Sequence, residues 1–82
     1  MTRAEVEKSV REVMQTVLSR SLAPGADLRR ADEPAWDSLK HVELIFSIEE
    51  TLDLQFDAEE LGELDSLAKL VASAARRLEA GS

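Results

Sequence analysis

The sequence predicts an all-α fold: a four-helix bundle with three main helices, one short third helix and a long loop between the first two. Three observations predict it. Apolar residues recur with a helical period in three separate stretches. Capping residues stand at the head of each helix, and no stretch alternates apolar and polar residues as a strand would. Eighty-two residues make one domain, residues 1–82, with a single core and little room for a deep substrate cleft.

The first helix opens at Thr2-Arg3-Ala4-Glu5, which fits a capping box: a Thr oxygen for an orphan N–H, and Glu reaching back. Val6, Val10, Val13, Met14 and Val17 fall within one sector of about 100°, and Glu7, Lys8, Arg11, Glu12 and Gln15 lie outside it. That single stripe carries the helix to about Ser19. Residues 20–37 show no period. Pro24-Gly25 and Asp32-Glu33-Pro34 are turn signals, Leu22 and Leu28 are the apolar anchors, and a short turn of helix fits around Leu28. At roughly 17 residues this loop is long for a bundle, and long loops tend to be functional or disordered.

The second helix runs from Ser38 to about Leu52. A short third helix fits residues 57–61, with capping-box spacing from Asp57 to Glu60 and Gly62 as its stop. The last helix starts near Asp65 or Ser66 and gathers Leu67, Leu70, Val71, Ala74 and Leu78 on one face. Arg76 and Arg77 suit its dipole in the final turn, and Gly81 ends it.

The second helix has one apolar face too many. Leu44, Ile45, Ile48 and Leu52 form a core stripe, while Leu39, Val42 and Phe46 lie on the opposite side among Glu43, Glu49 and Glu50. One explanation is an exposed strip rimmed with carboxylates, suited to a partner that is apolar at its centre and basic at its edge. The other is that the long loop folds over Leu39 and Val42 and leaves Phe46 as an ordinary surface residue. Periodicity alone leaves both open.

Charge narrows the partners. Seventeen acidic against ten basic residues give a net charge of −7. Nucleic acid and anionic membranes are bound through Lys and Arg clusters, so both are excluded as expected partners, and basic protein surfaces are favoured. With no cysteine, disulfides and thiolate metal sites are ruled out. Neither a signal-peptide core nor a membrane-spanning run is visible. The expectation is a soluble, cytoplasmic monomer, and the Met1 start points to a free-standing chain.

Asp-Ser-Leu occurs twice, at Asp37-Ser38-Leu39 and Asp65-Ser66-Leu67. Each begins a helix, and capping explains either one taken alone. Context separates them. Ser38 follows the long loop and precedes the two-faced helix, whereas Ser66 follows Leu64 within a short connection. A phosphodiester on Ser38 would meet the positive end of a helix, and Lys40 is a nearby cation.

The stretch from Trp36 through Asp37-Ser38-Leu39, Val42-Glu43-Leu44 and Glu49-Glu50 resembles the attachment motif and recognition helix of the acyl carrier protein family. The order of the helices along the whole chain is similar too. The resemblance implies that Ser38 receives 4′-phosphopantetheine from coenzyme A through a phosphopantetheinyl transferase. It implies that Asp37 helps position the transferase's metal and nucleophile. Leu39, Lys40, Val42, Glu43, Phe46, Glu49 and Glu50, with Trp36, would face partners. Those partners would be acyl-loading enzymes, a ketosynthase, an acyltransferase or other pathway enzymes with basic docking patches. The core stripe with Ile48, Leu64 and Leu67 would shelter the acyl chain. The protein would be a carrier and not an enzyme, for fatty-acid-like, polyketide or related biosynthesis. Ala35-Trp36 and Lys40 depart from the usual pattern of fatty-acid members and favour a specialised pathway. The alternatives are a peptidyl carrier protein and an unmodified acidic interaction module.

Other chemistry is weaker. Ser38, His41 and Asp37 invite a triad, but Asp37 neighbours Ser38 and is poorly placed to orient His41. His41 falls on the core side of its helix and is expected to be packed or hydrogen-bonded. Glu59, Glu60, Glu63 and Asp65 lack calcium-loop spacing and suit a solvated acidic face. Trp36 fits either an interface anchor or a plug that closes the loop over the bundle.

Overall fold

The computed structural model describes residues 1–80. The helix α1 spans Arg3–Leu18, α2 spans Ser38–Leu52 and α3 spans Leu67–Ala80, with short 3-10 helices at Arg30–Asp32 and Ala58–Glu63. The described chain is all-helical, as its periodicity predicts; the predicted stop at Gly81 lies outside the described residues. None of these helices is long and apolar enough to cross a membrane.

The capping box of α1 forms on both sides: Glu5 N donates to Thr2 Oγ1 at 3.2 Å and Thr2 N donates to Glu5 Oε1 at 2.9 Å. The Thr2 bonds hold the Glu5 carboxyl below its usual pKa range. At the other end, Ser19 adopts a left-handed conformation with φ 52° and stops the helix. Val6, Val10 and Met14 are fully buried, and α1 packs against both α2 and α3. Leu44, Ile45, Ile48 and Leu52 of α2 and Leu67, Leu70, Val71, Ala74 and Ala75 of α3 complete the helical part of the core.

The long loop is built, not slack. Ala23-Pro24-Gly25-Ala26 closes a turn through Ala26 N to Ala23 O at 3.1 Å, with Gly25 at φ 80°. Pro at the second position and a glycine with positive φ at the third are what a type II turn requires. Leu22 and Leu28 are both buried, as their role as anchors predicts. Leu28 is not in a helical turn, however; the single turn of 3-10 helix follows it at Arg30–Asp32. The Leu28 carbonyl instead accepts from Leu67 N at 2.9 Å, next to extended Arg29 and its isolated bridge to Ser66. Arg30 N donates to Asp65 O at 2.8 Å, and Asp27 Oδ1 accepts from Ala68 N at 2.9 Å. The loop thus supplies partners to the orphan amides at the start of α3.

The short third helix differs from expectation. It is a 3-10 helix that runs through Gly62, and no side chain caps it. The Asp57–Glu60 capping box fails because both carboxylates turn to α3. Glu60 accepts from Ser73 Oγ at 2.7 Å and pairs with Arg77, and Asp57 pairs with Arg77 at 3.3 Å. The Arg77 guanidinium also lies 5.7 Å from the centroid of the Phe56 ring. Arg77 is therefore a tie between elements and more than a charge at a helix end.

That tie has a pH signature. The Arg77 bond, then the Ser73 bond, hold the Glu60 carboxyl below its ordinary value of 4.5. A lowered folded-state pKa gives stability that is present above the unfolded value and lost as pH falls through the folded one. Glu60→Gln is expected to flatten the acid limb of a stability–pH profile below about 4.5 and leave the alkaline limb unchanged, as read by urea unfolding. Parallel acid limbs for the two proteins would refute the role given to Glu60.

Candidate functional site

Ser38 is the first residue of α2, and its hydroxyl is on the surface. Asp37, also exposed, is the cap: its Oδ1 accepts from Lys40 N at 2.9 Å, and its carbonyl accepts from His41 N at 2.9 Å. Asp at this position is preferred because its short side chain reaches an amide that has no partner within the helix. Ser66, the serine of the second Asp-Ser-Leu, is buried at 6% exposure, and its Oγ accepts from Lys69 N at 3.1 Å. Ser66 is thus a structural cap. The two tripeptides differ as their contexts predict, with one hydroxyl in solvent and one built into the fold.

Leu39, Val42 and Phe46 are 66%, 64% and 61% exposed. The loop does not fold over them, which removes the loop-covered explanation of the second apolar face. Glu43 and Glu50 are exposed beside this strip. Lys40 Nζ lies 3.5 Å from Glu43 Oε2, so its charge is turned along the helix and partly neutralised. Glu49 is half-buried, and its Oε2 accepts from Phe56 N at 2.9 Å. One carboxylate oxygen therefore secures the chain that follows α2, which corrects the assignment of Glu49 wholly to a partner surface.

Trp36 is the larger correction. The resemblance counts it among the partner-facing residues, yet it is only 2% exposed and takes the other reading, a plug that closes the loop over the bundle. Its Nε1 donates to His41 Nδ1 at 3.0 Å, the two rings stack with centroids 6.0 Å apart, and His41 Nε2 bonds the Leu61 carbonyl at 2.7 Å. The physical reason is loop closure: a large apolar ring fills the gap between the loop, α2 and the second 3-10 helix, and its one polar atom finds a partner. A neutral His41 with its proton on Nε2 satisfies both bonds. With both ring nitrogens engaged, His41 is not available as a base for Ser38. Among the described residues, no group of three or more acidic or His side chains is arranged to hold a metal ion.

The residue that periodicity missed is Arg30. Its Nε donates to the Trp36 carbonyl at 3.1 Å, and its Nη2 lies 3.4 Å from Ser38 Oγ. Lys40 is the cation that sequence proximity picks out; Arg30, eight positions back, is the one that touches the hydroxyl. The only hint in the sequence is a cationic residue in a loop too long to be a mere connector.

The core residues Ile48, Leu64 and Leu67 are buried as expected. A shallow groove of about 260 Å³ between α1 and α2 is lined by other residues, among them Val13, Val17 and Ser47. Comparison with known proteins returned no matching family model, no matching curated protein and no matching solved structure.

Proposed function

We propose that this chain is an acyl carrier protein: Ser38 bears a 4′-phosphopantetheine arm whose thiol holds an acyl group as a thioester. The observation that carries this reading is the placement of a surface serine at the head of a helix whose next exposed residues form an acid-rimmed apolar strip. Such a hydroxyl is reachable by a transferase, and the strip beside it gives successive enzymes a place to dock. In the loading step Ser38 Oγ attacks the pantetheine-side phosphorus of coenzyme A. An O–P bond forms, the pyrophosphate P–O bond breaks, adenosine 3′,5′-bisphosphate leaves, and the serine proton passes to a base on the transferase. Asp37 flanks the nucleophile as an exposed carboxylate for the transferase's metal. The carrier has no catalytic residue of its own; pathway enzymes, such as a ketosynthase or an acyltransferase, supply the chemistry of fatty-acid-like or polyketide-type assembly.

The test is direct. Incubation of the apo protein with coenzyme A and a promiscuous phosphopantetheinyl transferase is expected to add one phosphopantetheine to the intact mass, mapped to the peptide containing Ser38. No addition with several transferases would overturn the reading. The same strip also supports an unmodified acidic interaction module, and that alternative predicts tight partner binding with no mass gain.

Magnitudes rank the parts of the docking surface. Burying a side chain such as Phe or Leu is worth about 1.5–3 kcal/mol, whereas a solvent-exposed ion pair is worth about 0–1 kcal/mol. Phe46→Ser is therefore expected to weaken the transferase's interaction at least tenfold, read as KM in loading, while shifting stability by less than about 0.5 kcal/mol. Glu43→Lys is expected to act mainly on encounter rate and salt dependence. An unchanged KM in Phe46→Ser would remove the strip from the docking surface.

A further inference from the structure

Arg30 is out of place in a chain of net charge −7. Its neighbours in sequence and fold are paired: Arg29 with Asp32, Arg20 with Glu33, Lys40 with Glu43 and Lys69 with Asp65. Among the described residues Arg30 has no carboxylate partner; its guanidinium is met by one carbonyl and one hydroxyl. It is also held in place. Its backbone N is bonded to Asp65 O at 2.8 Å, and its side chain is tethered at Nε by Trp36 O, whose own ring is locked in the core. A half-buried cation with neutral partners has lost part of its hydration without gaining a counter-charge. Its free donors lie beside the oxygen at which the carrier reading places an anion.

We infer that Arg30 is the positioning residue for the phosphodiester on Ser38. Once Ser38 is loaded, the guanidinium neutralises the new negative charge and bonds a non-bridging phosphate oxygen, which fixes the first bonds of the arm relative to α2. Guanidinium–phosphate contacts are charge-assisted and directional, so one well-held Arg both attracts the group and orients it. Without Arg30 the phosphate would add an unpaired charge to an already acidic surface. This inference rests on the carrier reading.

The experiment compares apo and holo forms of the wild type, Arg30→Ala, Arg30→Lys and Lys40→Ala. Urea unfolding gives a holo-to-apo ratio of folding constants for each, and ³¹P NMR of the holo form reads the phosphodiester directly. Loading is expected to raise the wild-type folding constant about two- to fivefold at low salt, the range for a single partly exposed charged pair. That gain should fall in Arg30→Ala to what the helix end alone supplies, survive in larger part in Arg30→Lys and remain whole in Lys40→Ala. The ³¹P shift should move in Arg30→Ala alone. The bond to the Trp36 carbonyl is lost from both apo and holo Arg30→Ala, so the ratio cancels its structural effect. Equal ratios and equal ³¹P shifts in wild type and Arg30→Ala would overturn the inference and leave the carrier reading intact. A wild type that takes no arm on Ser38 would overturn both.

Discussion

Ser38→Ala is expected to abolish loading entirely and leave the fold intact, while Ser66→Ala is expected to load normally and lose stability. Ser38 Oγ is on the surface, and its one partner, Arg30 Nη2, lies at a long 3.4 Å. The cap of α2 is the Asp37 carboxylate, so removing the Ser38 hydroxyl leaves that helix end bonded as before. Ser66 is the reverse case. Its buried hydroxyl accepts from Lys69 N, and an alanine there leaves an amide at the head of α3 without that partner. Losing a cap of this kind costs about 1 kcal/mol. The measurement is a pair: intact mass after incubation with coenzyme A and transferase, and the midpoint of urea unfolding. Loading that survived in Ser38→Ala would move the attachment site and overturn the argument from exposure.

The second large effect belongs to Trp36. Truncation of a buried Trp costs about 3–5 kcal/mol, and a small domain has only about 5 kcal/mol or somewhat more to lose. Trp36→Ala is therefore expected to leave a protein that is barely folded, with its loop loosened around Ser38. Trp36→Phe keeps most of the apolar body but leaves His41 Nδ1 without its donor, so it should cost less, about 1–2 kcal/mol. Trp36 is the only tryptophan. Its fluorescence in the wild type reports on this spot alone, and a urea midpoint for Trp36→Ala equal to that of the wild type would show that the ring does not hold the loop.

The contrast between these residues marks what a sequence makes visible. The bounds of α2, from Ser38 to Leu52, were legible because Asp37 caps locally and the apolar stripe repeats every three to four residues. The excess apolar face was legible too, though its exposure was not. The same period fits a strip left open or one roofed by a loop, and only the path of residues 20–37 decides. That path depends on bonds between distant residues such as Asp27 to Ala68 across 41 positions, and other elements are held just as remotely, His41 to Leu61 across 20 and Arg77 to Glu60 across 17. The capping box at Asp57 and Glu60 failed for this reason. A local bond lost to a remote Arg that the pattern of neighbouring residues does not reveal. The choice between the two readings of Trp36, and the role of Arg30, were hidden in the same way, since their partners are set by how the loop returns to the bundle.

The pairing of the loop with the head of α3 has a consequence for the order of events when the chain folds. Leu28 to Leu67, Arg30 to Asp65 and Asp27 to Ala68 each close a segment of about forty residues, which costs chain entropy before any contact repays it. Helices α1 and α2 need no such closure to gain their own hydrogen bonds. The bonds between residues 27–30 and the head of α3 are accordingly expected to form after the helices' own. The docking of α3 therefore fixes Arg30, through the Asp65 carbonyl, beside a hydroxyl that α2 has already placed.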